Sequence, residues 1–414
     1  MSNPTQIFQL FFRFRGANLE SLLIFSNFAN VKKIGYDGKR AVSNMTGLGN
    51  YSRLVLESVG RRFPDRTLLV YTPAMKANGR LAALHELDNV QFHVPDRKGP
   101  MNSGALWRSF RLTEQLRRDG VELFHGLSNE LPFTIEKAGI PSVVTMHDVI
   151  YRRLPYCYSP IDRLLYDIKY GESCHMATRI IAVSERTKED VCELYDISPE
   201  RVDVVYQGCD ESFRQVLSTV HLEEIRKRYE LPARYILQVG TIERRKNLEL
   251  TIRAMTTLPA DVHLVAVGRG GSYKEKMEKL AERLGVRERV HFKSGIPFVD
   301  LPAINQRADV IVYPSHYEGF GIPVLEGIES RRPVVAATGS CLEEAGGEAA
   351  WYVDPNDARA LGNLLVGLTD GSIDTAPRIV AGKKYARRFD NSTMAENLES
   401  VYEKALSDYR SKHL

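Results

Sequence analysis

Residues 316–327 read HYEGFGIPVLEG and set Glu318 and Glu326 eight positions apart, with Gly319, Phe320, Gly321 and Pro323 between them. The run DVIVY (309–313) before this stretch is β-branched and predicts a strand, so the turn sits at a strand end. Pro323 suits the first turn of a helix, where its missing N–H goes unused. Gly319 and Gly321 let backbone approach a ligand closely. Glu326 then falls about one turn into the helix, where a carboxylate can also serve merely as a cap or dipole partner. Opposite charge comes from VGTIERRKNLEL (239–250), which puts Arg244, Arg245 and Lys246 after the predicted strand YILQV and before a helix starting near Asn247. Cations there oppose the helix dipole, which points to a bound anion; a solvated basic turn is the plainer reading. If loop amides, helix end and cations face one cleft, they make a diphosphate site. Glu326 is then placed for a polyol such as ribose, and Glu318 for hydroxyls of whatever the diphosphate carries.

Two further strand-end loops carry candidate groups. VSNMTGLGNYSR (42–53) places Gly47 and Gly49 before a helix expected to begin near Asn50, an arrangement that can hold phosphate. Its spacing departs from the dinucleotide fingerprint: serine replaces the third glycine, and the next strand ends in VYTPA without an acidic residue. VTMHDVIY (144–151) puts His147 and Asp148 after a strand, and His125 in LFHGLSNELP occupies a similar end. A histidine there can donate to an oxyanion or simply be buried.

Elements that could position these groups alternate along the chain. Short apolar runs such as KKIGY (32–36), TLLVY (67–71), SVVTM (142–146), RIIAV (179–183), VDVVY (202–206), VHLVAV (262–267), PVVAA (333–337) and AWYV (350–353) are separated by amphipathic segments. That alternation predicts an α/β chain of two doubly wound, Rossmann-like domains facing a central cleft. The expected limits are an N-terminal extension at 1–30, a first domain at 31–210, a second at 211–390, and a closing helix at 391–414 packed back on the first domain. A length of 414 residues fits two domains. The net charge of +4 is no nucleic-acid signature. Five scattered cysteines, with no CxxC pair, argue for reduced thiols and a cytoplasmic location, and against a zinc site. No apolar run predicts a membrane span. IFQLFFRFR and SLLIFSNF, within 1–30, mix aromatic and basic residues; they read as an added helix or as a peripheral membrane-surface segment.

On these motifs the chain resembles the retaining glycosyltransferases of family four (group 1) with the GT-B fold. EGFGIPVLEG matches that family's E-x7-E segment, and GTIERRKNL its phosphate-binding segment in a mannosyltransferase-like form; TGLGNYSR, VVTMHDVIY, IIAVSE and VDVVYQGCD follow in register. The resemblance implies that Glu326 binds the donor ribose and Glu318 the transferred sugar. Phe320, Gly321 and Ile322 would act through backbone N–H groups. Arg245 and Lys246 would neutralise the diphosphate, Gly49 would close over it from the other domain, and His147 would sit near the sugar. Glu318, His147 and Lys246 are thus the expected catalytic residues. Thr241 stands where many members carry arginine, and Arg245 is expected to replace that charge. No D-x-D occurs in the chain, so no metal and no further cofactor is expected. The implied reaction moves a hexose, mannose favoured, from GDP-mannose or a UDP-hexose to a glycan or lipid-linked acceptor, with retention of configuration. A sugar-nucleotide epimerase of the same architecture, or an inert scaffold keeping the fold, are the competing readings.

Overall fold

The computed structural model describes residues 31–96 and 104–413. The extension at 1–30, with its expected membrane role, lies outside the described residues.

Two parallel sheets organise the chain. The first has β1 (Lys33–Asp37), β2 (Thr67–Tyr71), β3 (Val90–His93), β4 (Leu123–Gly126), β5 (Ser142–Met146), β6 (Arg179–Ala182) and β7 (Val202–Val204), in the order β3-β2-β1-β4-β5-β6-β7. The second has β8 (Tyr235–Val239), β9 (His263–Val267), β10 (Val290–Lys293), β11 (Val310–Tyr313), β12 (Val334–Ala337) and β13 (Trp351–Val353), in the order β10-β9-β8-β11-β12-β13. Every residue of β5 and β12 is buried, as strands covered by helices on both faces must be. VDVVY was expected to pair to residue 206, but β7 stops at Val204, where this edge strand turns toward the second domain.

Strand order reverses between β1 and β4 in one sheet and between β8 and β11 in the other. Loops that diverge at such a reversal leave a crevice at the strands' carboxyl ends. The RRK loop follows β8 and the EGFG loop follows β11, so topology alone puts them on the two sides of one crevice.

Six helices matter for the site: α1 (Gly47–Arg62), α2 (Pro160–Met176), α3 (Glu185–Tyr195), α4 (Ile322–Glu329), α5 (Leu342–Gly346) and α6 (Asn391–His413). The first begins at Gly47, three residues before the expected start. The last buries Met394, Leu398, Val401, Tyr402 and Ala405 and packs on α1, β5 and β6, within the first domain. Arg66 pairs with Glu399, Arg179 with Asp408 at 2.7 Å, and Lys404 with Asp203 at 2.6 Å. In the buried centre of this contact the Tyr402 hydroxyl lies 2.8 Å from His125 Nδ1 and 3.3 Å from the Tyr36 hydroxyl.

The chain therefore crosses between the domains twice, after β7 and again before α6. The crossings touch: a Cβ on Gly208 would lie 2.5 Å from Asn391 Oδ1 and 2.6 Å from the Phe389 carbonyl oxygen. Around them Tyr206, Phe320 and Phe389 form an aromatic cluster with ring centroids 5.4–5.8 Å apart.

Candidate functional site

In the second domain the two loops are stitched together by backbone. Gly240 leaves β8 at φ +146, and Arg244–Lys246 form a single 3-10 turn. Asn247 follows in the left-handed region at φ 56. Its Nδ2 donates to the carbonyls of Pro314 (3.0 Å) and Pro355 (2.8 Å), which ties the cationic turn to the loop after β11. The His316 amide closes the seam by donating to the Arg245 carbonyl at 2.9 Å.

This frame brings three charged side chains together. Lys246 Nζ lies 2.6 Å from Glu318 Oε1, and Arg245 Nη1 2.7 Å from Glu318 Oε2. The Tyr313 hydroxyl donates to the same Glu318 oxygen at 3.1 Å. Burial alone would raise the Glu318 carboxyl, but Lys246 and Arg245 outweigh it and hold the group at about 2, fully ionised. Burial pulls the Lys246 ammonium down, with Glu318 opposing; burial pulls Arg245 down too, but Glu318, Tyr313, Glu243 and Asp148 together outweigh it and push Arg245 up. The cations read from sequence as needing an anion thus already have one of the chain's own. In this ligand-free arrangement both Glu318 oxygens are engaged by protein.

Glu326 behaves in the opposite way. It is buried on α4, and no side chain or amide among the described residues pairs with its carboxylate. Burial, with the nearby charge of Asp210, pushes it up to about 8. Gly321, at φ +119, supplies the left-handed turn into α4, and a Cβ there would meet Leu342 Cδ2 at 2.7 Å. Among the described residues, the amides of Phe320, Gly321 and Ile322 meet no acceptor. The Phe320 side chain is buried in the aromatic cluster, so only its backbone amide is left unpaired here.

The first domain forms the facing wall. His147 follows β5; its amide donates to Asn129 Oδ1 (2.6 Å) and its Nε2 to the Leu127 carbonyl (2.9 Å). Burial brings its ring down to about 4, so it is neutral, with Nε2–H committed and Nδ1 left as an acceptor. His125 is different: both ring nitrogens are bonded inside the domain, to Tyr402 and Thr145, and it is structural.

Neither site glycine on the two walls has space for a ligand at its Cβ position. Gly49 packs on the preceding turn, where a Cβ would lie 1.9 Å from the Asn44 carbonyl oxygen, and its amide faces Asn44 Oδ1 at 3.3 Å. At Gly319 a Cβ would lie 1.8 Å from the His147 carbonyl oxygen. What approaches Gly319 is therefore the backbone of the other domain. That junction is bonded further. The Gly319 carbonyl accepts from Ser184 Oγ (2.6 Å) and Thr187 Oγ1 (3.1 Å). Glu344 on α5 accepts from the first two amides of α3, at 2.7 and 3.0 Å. Arg186 Nε donates to the Tyr317 hydroxyl at 2.6 Å, and that hydroxyl bonds Asp190. Sequence reasoning missed Ser184, Thr187, Tyr317 and Glu344 as junction residues. The strand-end position of Ser184 in IIAVSE was the available signal.

Family comparisons fall on the same two halves. The model for glycosyltransferase family 4 matches residues 55–213, and that for glycosyl transferases group 1 matches residues 222–376. The chain is 31% identical over 275 residues to O-antigen chain mannosyltransferase B of Escherichia coli, covering 64% of this chain and 70% of that protein. It is 28% identical over 370 residues to a D-inositol 3-phosphate glycosyltransferase of Thermobispora bispora, covering 83% and 85%. In three dimensions it is similar to Anabaena HepE in complex with UDP, with a TM-score of 0.71 and 19% identity, covering 90% of this chain and all of that one. Its paired parallel sheets, the loops meeting between them and these matches make the chain a GT-B-fold member of the group 1, family 4 glycosyltransferases.

Proposed function

We propose that the protein transfers a hexose, mannose favoured, from a nucleotide diphosphate sugar to a glycan or lipid-linked acceptor, with retention of configuration. The observation that carries this reading is the buried Lys246–Glu318–Arg245 cluster at the crevice of the second sheet. A diphosphate entering there meets two fixed cations and the free amides of Phe320, Gly321 and Ile322. Those groups stabilise the charge that develops as the sugar leaves, and they need no reorganisation to do so. Glu326 lies where a ribose can give its buried carboxylate the hydrogen bonds it lacks.

Glu318 is ionised and clamped by both cations, so it has no proton to donate and no mobility to attack as a nucleophile. It is suited to accept hydroxyls of the transferred sugar once the diphosphate shares its cations. Retention then follows front-face attack, with the leaving diphosphate taking the acceptor's proton. The lean to GDP-mannose rests on GTIERRKNL and on the Escherichia coli relative; UDP-hexoses come second. Charge neutralisation by Arg245 and Lys246 makes the donor step independent of a divalent metal. No helix among the described residues is long and apolar enough to cross a membrane. Peripheral attachment through residues 1–30 is tested by liposome flotation with and without them, and equal partitioning would remove that role.

The test of the main reading is titration calorimetry with GDP-mannose and UDP-glucose, followed by turnover in excess EDTA. Micromolar binding of one donor and undiminished turnover are expected. Binding of neither would sink the reading, and activity restored only by magnesium or manganese would sink its metal-free form.

A further inference from the structure

His147 has an immediate neighbour, Asp148, for which the reaction as described has no use. Asp148 Oδ1 accepts from the Ile150 amide at 3.1 Å, a local turn that starts the short helix at Ile150–Arg153. The other carboxylate oxygen has no partner among the described residues. Such a turn alone needs one oxygen and would work equally well on an open surface. Asp148 instead stands at the domain junction, its Cβ 3.2 Å from where a Cβ on Gly319 would be. Burial pushes its carboxyl up; Arg245 and the Ile150 amide oppose that, and the other charges that act on it are Glu318 and Lys246, from the same cluster across the crevice. A buried carboxylate oxygen without a hydrogen-bond partner is costly unless something is to be bound there.

Ten residues on is Tyr158, at the end of the turn Pro155–Cys157 and half-buried. Its hydroxyl has no partner among the described residues, and Asp148 and Arg245 are the charges that act on it most. Its ring is braced edge-on by Tyr166, with centroids 6.1 Å apart, and Tyr166 stacks on Tyr170 at 5.4 Å. The crevice thus has, opposite its cations, one free carboxylate oxygen and one free phenol held on a rigid aromatic wall.

We propose that Asp148 and Tyr158 hold two neighbouring hydroxyls of the acceptor's terminal sugar, Asp148 taking the attacking one. This assignment rests on the proposed glycosyl transfer. In that step the acceptor oxygen bonds to the donor's C1, the bond from C1 to the diphosphate oxygen breaks, and the acceptor's proton passes to the released diphosphate. Asp148 accepts a hydrogen bond from the hydroxyl, aims it, and ends the step in the protonation state in which it began.

Two conservative variants isolate the groups. Asp148→Asn keeps the oxygen that accepts from the Ile150 amide, and Tyr158→Phe removes a single hydroxyl. Donor binding is measured by calorimetry with GDP-mannose and UDP-glucose, and donor hydrolysis is followed with water as the acceptor. Transfer to octyl α-mannoside, β-glucoside and β-galactoside reports on the acceptor. The expected result is a donor Kd within about threefold of the unaltered protein, retained hydrolysis, and an acceptor KM raised about tenfold or more in both variants. An unchanged acceptor KM, or donor affinity falling in parallel with it, would overturn the assignment. If the unaltered protein hydrolyses donor but takes none of the three glycosides, a sugar-terminated acceptor is wrong. If it binds neither donor, the reading of the whole site falls, and this one with it.

Discussion

Glu318 and Glu326 share a residue type, a loop and a buried setting, yet they are driven in opposite directions. Glu318 has two cations within 2.7 Å and is held at about 2, whereas Glu326 has none and rises to about 8. An unfolded glutamate loses its proton near its ordinary value, while folded Glu326 keeps it to about 8. Between these values the folded state binds more protons, so Glu326 lowers stability progressively as pH rises from about 4.5 to 8. Glu326→Gln should therefore gain on the unaltered protein across that window, by up to a few kcal/mol in the ligand-free state. Melting curves from pH 5 to 9 check this; a constant difference between the two proteins would refute it. Glu318 works the other way: its stabilisation is present above about 4.5 and lost as pH falls toward 2. Lys246→Ala removes one of its two partners and one of the two cations proposed for the diphosphate. kcat/KM for the donor should drop by about 2–4 kcal/mol equivalent, and an undiminished value would make Lys246 only a structural cation. The residue types and spacings of this site were legible in the sequence. Their pairing was not, because nothing local reveals that a glutamate 72 positions from Lys246 already serves as its counter-ion. Gly319 was misread for a similar reason. Its missing side chain leaves space for a backbone carbonyl of a distant strand, and only the assembled domains show that.

At the level of elements, the alternation of β-branched runs and amphipathic segments was enough to give two doubly wound sheets, since a strand buried on both faces announces itself as a continuous apolar run. Element ends were less legible: α1 starts three residues early and β7 ends two residues short, each decided by packing beyond the segment. The long final helix was visible as a periodic pattern, but the surface it covers depends on contacts such as Tyr402 with His125, 277 residues apart. Tyr402 is the buried keystone of that helix. Tyr402→Phe leaves His125 Nδ1 and the Tyr36 hydroxyl without their shared partner, which should cost about 1–3 kcal/mol of stability. Chemical denaturation checks this; a change below about 0.5 kcal/mol would mean that water or a neighbour replaces the hydroxyl.

On the scale of the whole molecule, the two domains meet with the Gly319 backbone set against His147. Neither side can give way cheaply, since both are main chain. Gly319→Ala should leave each domain folded but hold the crevice open. The expected signs are unchanged far-ultraviolet circular dichroism, a larger radius of gyration by small-angle scattering, and transfer reduced at least about tenfold. Full activity with unchanged scattering would show that the junction adapts.

The two touching crossings at Gly208 and Asn391 carry a different kind of consequence. Because α6 belongs structurally to the first domain, the second domain is an insertion within it, a guest whose entry and exit lie side by side. A gene with the guest removed, and residue 207 joined to residue 391 by a few glycines and serines, should yield a closed first domain with α6 in place. Amide exchange would show it by protection at Leu398 and Tyr402; rapid exchange there would mean that the host needs its guest to fold. The same geometry makes the second domain a replaceable cartridge: another domain with adjacent ends could be spliced between these two points without lengthening either crossing.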